Sequence, residues 1–237
     1  MRIALIGYGK MGKAIEEIAL SQGHTIALII DHHNTNDLTS ENLFQASVAI
    51  EFTGADSALS NIKKCIDAKV PVVSGSTGWL NNFDEAKDYC AAKQGTFLYA
   101  SNFSIGVNIF FEINSRLAKL MSNRSEYVVS IKEIHHKQKK DVPSGTAISL
   151  AEQIIAEDSD KSQWSITTGD EQTIKISAER VDPAPGTHHV KYASAIDDIE
   201  IIHTAHNRTG FASGALAAAA FIVNKKGIYT MKDVLGL

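Results

Sequence analysis

Two histidines and three lysines crowd into six residues of this chain, His135-His136-Lys137-Gln138-Lys139-Lys140, after Glu133-Ile134 and before Asp141-Val142-Pro143-Ser144-Gly145-Thr146. Histidine titrates near neutral pH and can both give and take a proton. A lysine crowded by other cations becomes a usable proton donor. Ala147, Ile148, Ala151, Ile154 and Ile155 then recur at helical spacing, so a helix is predicted to open at Ser144-Gly145-Thr146. Free backbone amides at a helix start attract anions. Proton donors and an anion cradle therefore stand a few residues apart. The bland alternative is a solvated basic loop in front of an ordinary capped helix, and the rest of the chain decides between the two.

A second group of residues carries different chemistry. Residues 2–6 read as a buried strand, Gly7-Tyr8-Gly9-Lys10-Met11-Gly12 follows at once, a helical pattern starts at Met11, and residues 25–30 form another apolar run ending at Asp31. Strand, G-x-G-x-x-G, helix, strand and acid in this order form the dinucleotide-binding arrangement. One glycine makes the tight turn, one lets the backbone approach a pyrophosphate, and one lets helix and strand pack closely. Asp31 stands where a carboxylate accepts hydrogen bonds from the adenosine ribose. A carboxylate repels a 2′-phosphate, whereas His32 or His33 could approach one. The expected cofactor is therefore NADH, with NADPH tolerated.

The elements that must position these residues follow from the pattern. Strands and helices alternate through residues 48–52, 57–68, 70–73, 83–92 and 96–99, which implies a parallel sheet. Ligands bind such sheets at the carboxyl ends of the strands. Residues 7–12, Gly75-Ser76-Thr77-Gly78 and Ala100-Ser101-Asn102-Phe103-Ser104 should thus converge on one edge, the first on pyrophosphate and the others beside the nicotinamide; a plain polar turn is the alternative for the second. After a connecting helix at residues 107–121 the pattern changes. Tyr127, Val129 and Ile131 alternate with Val128, Ser130 and Lys132 in a strand that runs into His135. If the extended form persists to Lys139, His135 and Lys139 share one face and His136 the other. Further strands are expected at residues 173–181, 188–196 and 198–205, with Asp197-Asp198 as a hairpin turn, and residues 157–163 read as a polar, mobile tail. The alanine-rich stretch 210–223 reads as a helix, with Gly227 as a plausible stop, packing back on the first domain. The fold class is therefore α/β: a Rossmann-type doubly wound parallel sheet (residues 1–104 and 208–237) plus an α+β domain with a mixed sheet of about four strands (residues 105–207).

Composition narrows the class further. The 237 residues suit one large domain or two small ones, and a 44% hydrophobic content suffices for a packed core. A net charge of -4 gives no global nucleic-acid footprint, the basic cluster being local. Cys65 and Cys90 match no metal spacing and read as buried thiols in a reducing cytosol, so no metal is expected. The opening apolar run is short and broken by Gly7, unlike a signal peptide. The longest apolar run, residues 215–223, falls short of a membrane span. A soluble cytoplasmic protein without nucleic-acid or membrane partners is expected. His203 and His206 read as structural sheet residues. His188-His189 reads as loop rather than metal site, because no acid or cysteine is spaced to complete one. Arg208 is either a further cation for the site or part of a surface or interdomain ion pair.

Taken in order, the segments 7–12, 75–78, 100–108 and 135–147 resemble the 4-hydroxy-tetrahydrodipicolinate reductase (dihydrodipicolinate reductase) family over essentially the whole length. The stretch from His135-His136 through Ser144-Gly145-Thr146-Ala147 is the most specific of the four, and the ending Tyr229-Thr230-Met231-Lys232-Asp233-Val234-Leu235 also looks like the family's. The resemblance implies reduction of a cyclic unsaturated dicarboxylate with NADH or NADPH, giving tetrahydrodipicolinate and water in lysine and diaminopimelate biosynthesis. It implies homotetramers joined through the sheets of the substrate domain. It further implies His135 as proton donor or acceptor, Lys139 as proton donor, His136 as a substrate contact, and Gly145 and Thr146, after Ser144, on a substrate carboxylate. Cofactor contacts would fall on Gly7, Tyr8, Gly9, Lys10, Met11, Gly12, Asp31, Gly75, Ser76, Thr77, Ala100, Ser101, Asn102 and Phe103. One departure touches the cofactor: the position after the acid, often arginine in the family, is His32. Two other readings compete. Another two-domain amino-acid or imine dehydrogenase would share the glycine fingerprint without needing His-His-x-x-Lys and Pro-Ser-Gly-Thr. A catalytically silent NAD-sensing protein would keep residues 7–12 without the paired proton donors.

Overall fold

In the computed structural model, which describes residues 1–207 and 209–237, the chain begins β1 (Arg2–Ile6), α1 (Lys10–Ser21), β2 (Thr25–Ile30), α2 (Ser40–Leu43), β3 (Val48–Glu51), α3 (Ala55–Asp67), β4 (Val72–Ser74), α4 (Phe83–Ala92) and β5 (Thr96–Tyr99). It continues α5 (Ile105–Met121), β6 (Val128–His135), α6 (Gly145–Glu157), β7 (Gln163–Ser165), β8 (Thr173–Arg180), β9 (Gly186–Ala193) and β10 (Asp198–Ala205). It ends α7 (Thr209–Ile222), β11 (Gly227–Tyr229) and α8 (Met231–Leu235). Two units result: Met1–Ile105 with Thr209–Leu237, and Gly106–Arg208. The expectations for Arg208 lie outside the described residues. No helix among the described residues is long and apolar enough to cross a membrane.

The first unit holds six parallel strands in the order β11-β5-β4-β3-β1-β2. Such strands read as continuous apolar runs because helices cover both faces. Ala4, Ile6, Ala49 and Val72 face α2, α3 and α4 through Leu43, Ile62, Ile66 and Ala86. Ile3, Leu5, Val48 and Ile50 face α1 and α7 through Ile15, Ala19, Ala215 and Ala219. The alanines of α7 pack on the sheet, and the tightest approach shown is at a glycine: a Cβ on Gly214 would stand 1.7 Å from the Phe103 carbonyl oxygen. Gly227 is no helix stop. It opens β11, with φ at +114°, which pairs with β5. Successive strands leave β1 in opposite directions, β2 on one side and β3 on the other, which opens a crevice at their carboxyl ends.

The second unit carries five strands, ordered β10-β9-β6-β8-β7. The expectation of about four is corrected by β7, which lies at the end of the supposed polar tail and pairs with Thr173–Lys175. Its apolar signal is a single residue, Trp164, which packs on the core between polar Gln163 and Ser165. The hairpin turn is also displaced. Asp198 already pairs with Ala193, and the turn is held by the Ser194 hydroxyl, which accepts from the amides of Ile196 and Asp197 at 3.1 Å each. Along β6 every second residue is buried, and Val129 and Ile131 pack with Ile174, Ile176 and Val190 against Phe110, Leu150 and Ile154 of α5 and α6. Each fully buried Ile or Leu contributes about 1.5–3 kcal/mol. The other sheet face leaves Val128 and Ile202 exposed.

Candidate active site

The same alternation that buries Val129 and Ile131 carries Glu133 and His135 inward at the end of β6. Register supplies their neighbours: Arg180 of β8 lies opposite His135, and His188 of β9 opposite Glu133. The inward face thus turns from apolar to charged over its last turn of pleat. Glu133 is fully buried. Its Oε2 lies 2.7 Å from His135 Nδ1, while its Oε1 accepts from Arg180 at 2.9 Å and from the Ser144 amide at 3.1 Å. Ser144 caps α6 by accepting from the Ala147 amide at 3.3 Å, and its Oγ is 3.1 Å from His188 Nε2. Gly145 is exposed, with nothing within 4 Å of where a Cβ would lie, and Thr146 is half-buried.

The strand stops at His135, so the extended form does not reach Lys139. A turn follows, closed by the Lys139 amide donating to the His136 carbonyl at 3.1 Å. His135 and Lys139 therefore do not share a strand face. Lys139 reaches Asp141 instead, at 2.7 Å. Arg180 straps this turn to Glu133, donating to the carbonyls of Lys139 at 3.3 Å and Asp141 at 2.7 Å. His136 is half-exposed beside it. His188 is a buried strand residue, not loop, and Glu133 is the acid that spacing alone did not supply: ligand atoms of Glu133, His135 and His188 lie within 4.8 Å of one another.

Burial alone would push the Glu133 carboxyl up, but His135, the Ser144 amide and Arg180 hold it down at about 2. Burial, and then the neighbouring His135, push His188 down to about 3, so its ring is neutral. Both groups have folded values below their unfolded ones, so stability falls on acidification. Glu133 loses a stabilisation present at neutral pH, and His188 adds a penalty because the unfolded chain takes up a proton that the buried ring does not. For His188 the loss begins near its unfolded value of 6.5 and for Glu133 near 4.5. The urea midpoint is expected to fall between pH 7 and pH 5, with a slope of up to about 1.4 kcal/mol per pH unit from one proton. His188→Gln should flatten that limb; an identical slope in the variant would remove His188 from it.

In the first unit, residues 7–12, 75–77 and 100–103 follow the carboxyl ends of β1, β4 and β5 along one edge of the parallel sheet. Gly7 has φ +97°, and a Cβ there would meet the Phe52 carbonyl oxygen at 2.1 Å. A Cβ on Gly12 would meet the Gly7 carbonyl oxygen at 2.3 Å, the close helix–strand approach expected of the third glycine. Gly9, by contrast, has nothing within 4 Å of its Cβ position. No side chain caps α1 and its first turn carries no acid. Open space before an uncapped helix start fits a pyrophosphate. Asp31, at the tip of β2, is fixed by accepting from the His33 amide at 2.7 Å, and His32 and His33 are exposed. Lys10 is exposed and Met11 half-buried, while the Tyr8 hydroxyl turns back to donate to Glu16.

Of the remaining cofactor candidates, Thr77 and Ser101 are exposed, Asn102 accepts from the Ser104 amide at 2.9 Å, and Ala100 and Phe103 are core residues. Ser76 is buried and donates to Glu51 at 2.7 Å. A Cβ on Gly75 would overlap the Phe52 ring at 2.2 Å. Glu51, which the sequence reading passed over, is fully buried and also takes Ser74 at 2.6 Å and the Thr53 amide at 3.0 Å, tying the loops after β3 and β4 together.

Family models described as the N-terminus and the C-terminus of dihydrodipicolinate reductase match residues 1–103 and 106–235. The chain belongs to the dihydrodipicolinate reductase family. It is 48% identical to a 4-hydroxy-tetrahydrodipicolinate reductase of Christiangramia forsetii over 99% of this chain and 98% of that protein. It is 34% identical to one of Neisseria meningitidis serogroup B over 94% of this chain and 84% of that protein. Among solved structures, a dipicolinate-bound dihydrodipicolinate reductase from Paenisporosarcina sp. TG-14 superposes with a TM-score of 0.77 at 20% identity, covering 97% of each chain. An amine dehydrogenase from Mycobacterium smegmatis gives 0.65 at 12% identity, covering 98% of this chain and 95% of that one, a likeness of fold alone. Membership in this reductase family makes the chain an NAD(P)H-dependent oxidoreductase.

For a dihydrodipicolinate reductase family member, the residues legible in the sequence are those of the loops. Glu133 and Arg180 were given no role, and His188 was read as loop. One signal for Glu133 was available: it stands two residues before His135 on a strand, hence on the same face. Another marked Glu51, a lone charge closing the apolar run Val48-Ala49-Ile50, where burial demands partners.

Proposed function

We propose that this chain reduces 4-hydroxy-tetrahydrodipicolinate to tetrahydrodipicolinate and water with NAD(P)H, in cytoplasmic lysine and diaminopimelate biosynthesis. The observation that carries the reading is the polar end of the second unit's sheet. There His135, His136 and Lys139 adjoin the open start of α6 at Gly145 and Thr146, with Glu133 and Arg180 beneath. The unit Gly106–Arg208 binds substrate and the other unit the cofactor. When bound, NAD(P)H supplies the hydride to an electron-poor ring carbon. Lys139 or His135 delivers the proton that quenches the negative charge developing on the ring; a well-placed acid is worth roughly 10²–10⁴ in rate. His136 and Lys139 form a cationic pocket for the dicarboxylate, and the α6 amides at Gly145 and Thr146 hold one carboxylate. The exposed apolar residues Val128 and Ile202 on the uncovered sheet face support a homotetramer joined through this sheet.

The direct test is oxidation of NADH, then of NADPH, in the presence of the product of the preceding synthase. No oxidation with either cofactor would refute the reading. NADH is the proposed preference, since Asp31 offers a carboxylate at the end of β2 and no arginine follows it. Asp31→Ala is expected to weaken NADH by about 10–100-fold, the worth of hydrogen bonds to a charged group, and NADPH by less. A titration with equal losses would remove Asp31 from the ribose site.

A further inference from the structure

Glu133 is a fully buried carboxylate in the second unit for which the proposed chemistry has no use. Its surroundings are built for an anion. Arg180 donates from β8, the Ser144 amide from the start of α6, and His135 Nδ1 lies 2.7 Å away, two residues along the same strand. These partners outweigh burial, so the carboxylate stays ionised throughout the working pH range. The group Glu133, His135 and His188 has the spacing of a metal site, but the Arg180 guanidinium, 2.9 Å from Oε1, already supplies the cation.

An ionised acceptor beside one ring nitrogen of a histidine fixes which nitrogen carries the proton and how the ring is turned. With Nδ1 against Glu133, Nε2 is the nitrogen left to exchange a proton. The far side of the ring is kept bare: a Cβ on Gly186 would approach Nε2 to 3.0 Å, and the neutral His188 ring closes the flank edge-on at 5.0 Å. The charged and titratable groups around His135 are Glu133 on its own strand, Arg180 on β8, His188 on β9, and Lys139 and Asp141 on the turn strapped down by Arg180.

We infer that Glu133 is the positioning residue of this reductase: its carboxylate, held by Arg180 and the Ser144 amide, keeps His135 protonated at Nδ1 and presents Nε2 to substrate. The inference rests on His135 exchanging a proton in the reaction, and its test separates the two. In the full-length protein, nitrogen-15 NMR of the His135 ring, assigned by its loss in His135→Gln, is expected to show the neutral ring protonated at Nδ1. A ring protonated at Nε2 would overturn the inference, whatever any variant does. Glu133→Gln is expected to lower kcat by about 10–100-fold, as loss of such an outer partner does, with little change in KM or cofactor affinity. Glu133→Asp, which keeps the carboxylate, should restore part of the lost turnover. A fall in kcat with an unchanged tautomer in Glu133→Gln would mark Glu133 as structural only. Full turnover in His135→Gln would instead reject the proton-exchange reading itself.

Discussion

Lys139→Ala is expected to lower turnover by about two to four orders of magnitude while leaving NADH and NADPH affinity unchanged. The side chain can be removed without disturbing its surroundings. The turn that carries it is held by backbone groups, the Lys139 amide on the His136 carbonyl and the Lys139 carbonyl under Arg180. Its ion pair with Asp141 is half in solvent, so its loss should cost less than about 1 kcal/mol of stability. A fall in kcat in a variant with a normal unfolding midpoint therefore reports on chemistry. Lys139→Arg sharpens the test. It keeps the positive charge for the dicarboxylate but is a poor proton donor, so KM should hold while kcat stays low. A wild-type rate in Lys139→Ala would leave His135 as the sole proton donor of the cluster.

Gly9→Ala and Gly7→Ala should separate cofactor binding from folding within one loop. Gly9 has negative φ and nothing near its Cβ position, so alanine there should cost less than about 1 kcal/mol as a poorer cap. The added methyl fills the space in front of the α1 amides, and NAD(P)H affinity should fall roughly 10–100-fold, or about 1.4–2.8 kcal/mol. Gly7→Ala meets a different obstacle. Its positive φ costs about 1–2 kcal/mol for a residue with a Cβ, and the Phe52 carbonyl oxygen 2.1 Å from that Cβ adds overlap with backbone. Stability and affinity should fall together in this variant. Fluorescence titration with urea unfolding checks both. Normal affinity in a well-folded Gly9→Ala protein would show that the nucleotide does not lie over this loop.

What the sequence by itself determined is whatever neighbours in the chain decide. The strand–glycine–helix–strand opening, the helix beginning at Ser144, the parallel first sheet and the alternation leading into His135 were all legible, because the periods of helix and strand and the demands of tight turns are properties of short segments. The tertiary structure alone decided register and pairing. Arg180 reaches Glu133 across 47 residues and His188 reaches Ser144 across 44. Nothing in the spacing predicts either, because a slip of one residue in strand pairing would turn those side chains to the opposite face. The short strand β7 is set by its pairing with β8 and by Trp164 packing on the core, neither of which its three residues announce. The turn that takes Lys139 off the strand likewise depends on Arg180 arriving from a neighbouring strand to bind its carbonyls. The residues proposed as proton donors could thus be named from the chain. The buried carboxylate and its counter-ion beside His135 became visible only once packing had fixed which strands lie side by side.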